Sequence, residues 1–141
     1  MLTRKALLVI DCSIEQVDIG PGNEKMIANI RRLAKSGKFD GLFDCRLSID
    51  DPSRTSLTRV YPTVGLKSSK GSALLKSLMD LDLHFVAKYN YSSFFDTQLD
   101  SKLKSFGVTD VYLTGVNTEF CIFATCLDAF YRMYNVHGMC L

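Results

Sequence analysis

Four short apolar runs, separated by segments with helical periodicity, restrict this chain to a small set of folds. Residues 5–11, Lys-Ala-Leu-Leu-Val-Ile-Asp, are almost continuously apolar and end in an acid. Such a run fits a strand buried on both faces of a parallel sheet. Residues 39–45, 84–88 and 109–114 are shorter runs of the same kind, and 135–140 offers a possible fifth. Between the first two, Asn23 is placed to cap a helix that turns Met26, Ile27, Ile30, Leu33 and Ala34 to one side and stops at Gly37. Residues 72–81, with Leu74, Leu75 and Leu78, predict a short amphipathic helix. Thr97 is placed to cap another, with Leu99, Leu103 and Phe106 inward and Gly107 at its end. A long apolar-periodic stretch from Thr118 to about Tyr134 predicts the last helix. Strand and helix in alternation predict an α/β domain with right-handed crossovers, a three-layer α-β-α arrangement around a mostly parallel sheet. Only residues 46–70, rich in Ser, Thr and Asp, lack periodicity, and they read as an excursion over the top of that sheet.

Length and composition narrow the function. A chain of 141 residues suggests one domain, 1–141, with a single core. The hydrophobic content of 47% against 23% charged residues is that of a soluble globular protein. No apolar run is long enough to span a membrane, and the N-terminus lacks a signal-peptide pattern, so a cytoplasmic protein is expected. The five cysteines are odd in number and contain no C-x-x-C pair, which argues against a disulfide framework or a zinc ribbon. A net charge of +2 without a basic block gives no reason to expect nucleic acid. No glycine-rich phosphate loop is present.

The segment from Gly115 to Cys121, Gly-Val-Asn-Thr-Glu-Phe-Cys, joins the 109–114 run to the long helix. A strand, a glycine turn and an immediate helix make a βα junction. With Thr118 as cap, Cys121 falls in the first turn, where unpaired N–H groups and the macrodipole favour thiolate. Ligands of open α/β sheets sit beyond the carboxyl ends of the strands. Asp11, Lys88 and Cys121 each fall at such an end, on strands that can be neighbours. Together they supply a nucleophile, a carboxylate able to take its proton, and a cation able to hold both anions. Taken singly, Asp11 reads equally as a strand-end cap, Lys88 as a surface lysine and Cys121 as core packing.

These residues also carry a resemblance. The blocks are Ala6-Leu-Leu-Val-Ile-Asp11, Lys88-Tyr-Asn-Tyr-Ser-Ser-Phe-Phe-Asp-Thr-Gln-Leu99, Gly107-Val-Thr-Asp-Val-Tyr-Leu-Thr-Gly115 and Asn117-Thr-Glu-Phe-Cys121, the last running on to Thr125 and Asp128. In that order and spacing the chain resembles the isochorismatase-like cysteine hydrolases, which include nicotinamidases and have a Rossmann-like fold. The resemblance implies a triad of Asp11, Lys88 and Cys121 and hydrolysis of a small carboxamide through a thioester. It implies an oxyanion site at the backbone N–H groups of Asn117 and Cys121, with a cis Val116–Asn117 bond. It also implies a small-molecule amide as substrate and a homo-oligomer as the assembled state. Not every member cleaves amides, since isochorismatases proper cleave a vinyl ether without the cysteine. A catalytically inactive relative kept as a binding or assembly subunit is the other alternative.

Three departures from the family pattern set further expectations. Nicotinamidases hold a divalent metal through an Asp-x-His pair after the second strand, and the matching residues here are Asp44-Cys45-Arg46. No histidine lies between Arg46 and His84, so no metal is expected; His84 and His137 read as packed or edge residues. The position five residues after Asp11, where the family has an aromatic, is Gln16, and the chain has no tryptophan. Gln16, Tyr91 and Phe94 are therefore the candidate pocket residues. Finally, the family continues past the fifth strand with a helix and an edge strand, whereas this sequence stops at Leu141. That shortening is expected to leave one sheet edge and one face uncovered, to be met by a partner chain or reflected in a truncated product or a marginal domain.

Overall fold

Strand β1 (Lys5–Ile10) occupies the middle of the sheet because both of its faces are apolar: Ala6 to Ile10 are wholly buried. The computed structural model describes residues 2–17 and 21–138. Alternate residues of β1 point to opposite faces. Leu7 and Val9 pack against Met26 and Ile30 of helix α1 (Pro21–Ala34) and against Leu78. Ala6, Leu8 and Ile10 meet Leu99 and Leu103 of helix α3 (Leu99–Ser105) and Ala129 of helix α4 (Phe123–Tyr131). Each large side chain buried in these two layers stabilises the fold by roughly 2 kcal/mol. The three-layer arrangement is the one the alternation predicts.

Strands β2 (Gly41–Leu47), β3 (His84–Lys88), β4 (Asp110–Gly115) and β5 (Asn135–Gly138) complete the sheet in the order β3-β2-β1-β4-β5, all parallel. The chain builds outward from β1 on one side through β2 and β3, then crosses to the other side for β4 and β5. The order therefore reverses between β1 and β4, and the crevice at their carboxyl ends is where such sheets take ligands. Asp11 leaves β1 at that point, and Cys121 follows β4.

Several elements differ from their predicted form. Helix α1 starts at Pro21, so Asn23 lies inside it rather than capping it; proline suits a first turn because it has no N–H to satisfy. Residues 72–81 are not an α-helix. They form two 3₁₀ turns, Lys70–Ser72 and Lys76–Leu78, because the backbone is committed elsewhere: Leu75 N–H bonds Cys12 O at 3.0 Å and Ile14 N–H bonds Ala73 O at 3.1 Å. The excursion over 46–70 is irregular as expected, holding one 3₁₀ turn, Pro52–Arg54, and the four-residue helix α2 (Leu57–Val60). The last helix is broken in two: a π-helical turn, Thr118–Ile122, precedes α4, and Met133 in the left-handed region ends it. Asn117, not Thr118, occupies the cap position, and no side-chain bond caps this end. Residues 139 and 140 of the predicted fifth strand lie outside the described residues. Among the described residues β5 pairs with β4 alone, and Phe123, Phe130 and Tyr131 of α4 are exposed. No helix among the described residues is long and apolar enough to cross a membrane.

The tightest joint in the sheet is at Gly115, with φ +111°, whose hypothetical Cβ would stand 1.9 Å from Ile10 O. The adjacent Val116 N–H bonds the same carbonyl at 3.0 Å. A side chain at Gly115 would wedge β4 from β1. Gly115→Ala is expected to lower the free energy of unfolding by about 3 kcal/mol or more, whereas Gly22→Ala, with nothing within 4 Å, is expected to be neutral or slightly stabilising. Urea unfolding of the two variants side by side checks both.

Candidate active site

Lys88 is the fixed point of the crevice. It ends β3, two strands from β1, so β3 and β1 are not neighbours; the long lysine stem reaches across the end of β2 to meet Asp11. Both side chains are 0% exposed. The ammonium hydrogen-bonds Asn90 O at 3.0 Å, Tyr91 O at 3.1 Å and Cys121 Sγ at 3.4 Å. Asp11 Oδ2 lies 2.7 Å from Nζ, the shortest of its four contacts, so the ammonium's three N–H donors are all engaged inside the protein. Burial disfavours the Lys88 ammonium, but the Asp11 carboxylate and the Cys121 sulfur outweigh it and hold the pKa above the ordinary lysine value.

Asp11 itself is set by the backbone. It sits in the left-handed region at φ +52°, which aspartate tolerates better than most residues. Its N–H bonds Cys45 O at 2.9 Å, and its Oδ1 accepts the Leu47 N–H at 3.0 Å. One oxygen thus caps the end of β2 while the other faces lysine and thiol. The strand-end-cap reading holds for this residue, and its second oxygen stands in contact with Lys88.

Cys121 lies in the π-helical turn and is buried. The Val116–Asn117 peptide bond is cis. The Asn117 carbonyl accepts N–H bonds from Phe120 at 3.2 Å and Ile122 at 3.1 Å, on either side of Cys121. The expectation that the helix start favours thiolate is corrected. Burial first, and then the Asp11 carboxylate, push the Cys121 thiol up to about 12 against the opposing pull of Lys88. Both causes favour the thiol over the thiolate.

A second set of bonds, which sequence reasoning did not assign, ties the Lys88 loop to α4. Ser93 N–H bonds Thr125 Oγ1 at 3.0 Å, and Ser92 Oγ donates to Asp128. Thr125 and Asp128 stand at i and i+3 on α4 and so share a face. That spacing was the available signal.

Beside Cys121 opens a cavity of about 200 Å³, lined by Glu15, Gln16, Leu47, Leu57, Tyr61, Val64, Tyr91, Asn117, Phe120 and Cys121. Gln16 and Tyr91 are where the sequence reading put them. Phe94 is not: it is 3% exposed and lies in the core against Tyr134, packed with Leu99 and Leu103. Its wall is supplied instead by Phe120, stacked on Tyr91 at 5.5 Å, and by Tyr61. Phe120 was legible as the residue before the thiol; Leu57, Tyr61 and Val64 come from the excursion, whose path had no sequence signal. A larger cleft of about 550 Å³ lies along β3, but it contains no thiol and Arg54 and Asp96 pair there at 2.8 Å.

The implied metal does not fit. Asp44 Oδ2 is held by Arg46 Nε at 2.7 Å, and the same guanidinium donates to Ser72 O at 2.6 Å and stacks over Phe85. Asp44 Oδ1 is buried without a hydrogen-bond partner. A single carboxylate beside a guanidinium is no cation site, and among the described residues no three His, Cys, Asp or Glu converge.

The isochorismatase domain profile matches residues 5–139. The chain belongs to the isochorismatase family. An isochorismatase-like hydrolase from Alkaliphilus metalliredigens is 28% identical and superposes with a TM-score of 0.81 over 97% of this chain and 80% of that one. A ureidoacrylate amidohydrolase of Serratia proteamaculans is 45% identical over 47 residues, 33% of this chain and 19% of that protein. A probable inactive nicotinamidase of Arabidopsis thaliana is 29% identical over 142 residues, 88% of this chain and 71% of that protein. The chain spans less than half the length of the first curated relatives it matches.

Two outcomes follow from the electrostatics. Burial raises the Asp44 pKa while Arg46 opposes the rise, so Arg46→Ala strands a buried carboxylate and is expected to cost about 3 kcal/mol near pH 7. A carboxyl whose folded pKa is raised is disfavoured in its charged form, so the loss shrinks as pH falls toward 5 and Asp44 protonates; urea unfolding at the two pH values checks the sign. For the thiol, iodoacetamide labelling of Cys121, followed by peptide mass spectrometry, is expected to keep climbing through pH 10. In Asp11→Asn the raising charge is gone, and the rate is expected to level off at lower pH.

Proposed function

We propose that this protein is a metal-free cysteine amidohydrolase acting on the C–N bond of a small carboxamide. The observation that carries the reading is the convergence of Lys88 on both Asp11 and Cys121, at the floor of an aromatic-walled cavity that reaches the sulfur. In this reading Asp11 accepts the Cys121 proton as the thiol attacks the amide carbon. The oxyanion forms toward the Asn117 and Cys121 N–H groups. Asp11 then returns the proton to the departing nitrogen, ammonia leaves, and a thioester remains. Water attacks the thioester with Asp11 as base, which regenerates the thiol and releases the acid. Lys88 holds carboxylate and sulfur in register and balances the charge that passes between them. A thiol with a pKa near 12 suits this order, since nucleophile and base are activated together by a bound carbonyl.

The relative named as an amidohydrolase supports the reading; the one named as a probable inactive nicotinamidase favours a second. In that second reading the domain binds but does not turn over. The Asp44–Arg46 pair, which stands where nicotinamidases hold a metal, is its structural support. A vinyl ether hydrolase of the isochorismatase type is the third.

Ammonia release over a panel of small amides separates them. Wild type is expected to turn over at least one amide, with Cys121→Ala lower by roughly a thousandfold or more. Absence of turnover across the panel favours the binding subunit, and a Cys121→Ala variant that keeps hydrolysing an enol ether favours the third reading.

A further inference from the structure

Among the described residues, the cavity that reaches Cys121 has one charged lining residue, Glu15, and no cation. Lys88 cannot serve as one, being wholly buried with its donors spent on Asn90 O, Tyr91 O and Cys121 Sγ. Arg46 is spent on Asp44 and Ser72 O, and Arg54 on Asp96 with its guanidinium over Tyr89. Arg59, Lys67 and Lys70 of the excursion do not line the cavity. Every other wall residue is apolar, aromatic or a neutral amide apart from the thiol itself.

Glu15 is held in place rather than free to swing away. Its Oε1 accepts the Gly65 N–H at 2.6 Å, its Oε2 lies 3.4 Å from Ser69 Oγ, and its own N–H bonds Gly71 O at 3.0 Å. These bonds use two of the roughly four acceptor sites of a carboxylate, so acceptor capacity remains for a ligand. A substrate bearing its own carboxylate would place that charge among aromatic walls, opposite a fixed anion and without a partner. That penalty is a repulsive element of specificity.

We propose that the site selects neutral or cationic carboxamides against anionic ones, and that Glu15 is the residue that sets this preference. The inference rests on the reading of the cavity as the amide-binding site and adds the charge class of its substrate. Glu15 is exposed at the mouth, so solvent and salt screen it. The discrimination is therefore moderate, roughly tenfold in dissociation constant between a cationic and an anionic ligand of one shape, or about 1.4 kcal/mol.

The test uses three ligands on one ring: benzamide, 3-(aminomethyl)benzamide and 3-carbamoylbenzoate. Their binding to Cys121→Ala is measured by calorimetry and ammonia release by wild type in parallel. The expected order of affinity is cationic, neutral, anionic, with the spread narrowing at high salt. Glu15→Gln keeps an acceptor for Gly65 N–H and is expected to compress the cationic-to-anionic ratio to within about threefold. Equal or tighter binding of the anion overturns the proposal, as does an absence of binding by all three. A parallel loss of all three affinities in Glu15→Gln, with the ratio kept, also overturns it by reducing Glu15 to a loop clamp. Should that variant fail to fold, the salt dependence of the ratio in Cys121→Ala decides. Ordered binding without ammonia release by wild type upholds the charge preference while removing the hydrolase reading.

Discussion

An ammonium with no exposure to water is the constraint around which the carboxyl ends of these strands are arranged. Stripped of partners, a buried lysine loses its proton, because desolvation penalises the charged form. Lys88 keeps its charge because two backbone carbonyls, a carboxylate and a sulfur surround it. The two carbonyls belong to Asn90 and Tyr91, so the loop after β3 must fold back over its own strand end. The carboxylate comes from β1 and the sulfur from beyond β4. One cation therefore dictates the relative positions of three segments far apart in sequence.

The loop cannot fold back unaided, and α4 supplies the anchor through Thr125 and Asp128. The same helix follows the turn that bears Cys121, so loop and thiol are positioned by one element. Tyr91 then stacks on Phe120, extending that coupling to the cavity wall. Position of the Asp11 carboxylate depends separately on the β1–β2 junction, where Asp11 both donates its N–H and accepts from Leu47. The site is thus the meeting of two sets of contacts, those of the β1–β2 end and those of the loop and α4, bridged by Lys88, while Gly115 lets β4 approach β1 closely.

What could be read from the sequence follows from how local each cause is. The β1 run was legible because burial on both faces leaves few polar residues, and Asp11 and Lys88 were legible as charges ending apolar runs. Convergence of the triad rested on topology, and the strand order decided it: β3 is not beside β1, and only the length of the lysine side chain closes the gap. Residues 72–81 were misread because leucine spacing reports which side is buried, not whether the backbone bonds within its own segment; here it bonds Cys12 and Ile14. Phe94 differs from its expected place because its loop position carries no periodicity to say which way the ring faces, and it packs into the core with Leu99, Leu103 and Tyr134. Cys121 shows a competition of magnitudes. Its place near a helix start was read correctly, but burial and a neighbouring carboxylate shift a thiol further than a frayed helix end does.

The Asp44–Arg46 pair is a second buried charge that the end of the sheet must balance. A carboxylate buried beneath a sheet end needs a positive partner, and a bound metal or a guanidinium can each supply it. A guanidinium two residues along the same strand supplies it within the chain, and spends its remaining reach on Ser72 O and the Phe85 ring. That reach ties the Ser72 backbone, just past the end of the excursion, to β2. The excursion in turn brings Leu57, Tyr61 and Val64 to the cavity, and Gly65 to Glu15. Arg46 is thus a strut inside the chain, joining Asp44 to the Ser72 backbone beside the segment that supplies part of the cavity wall.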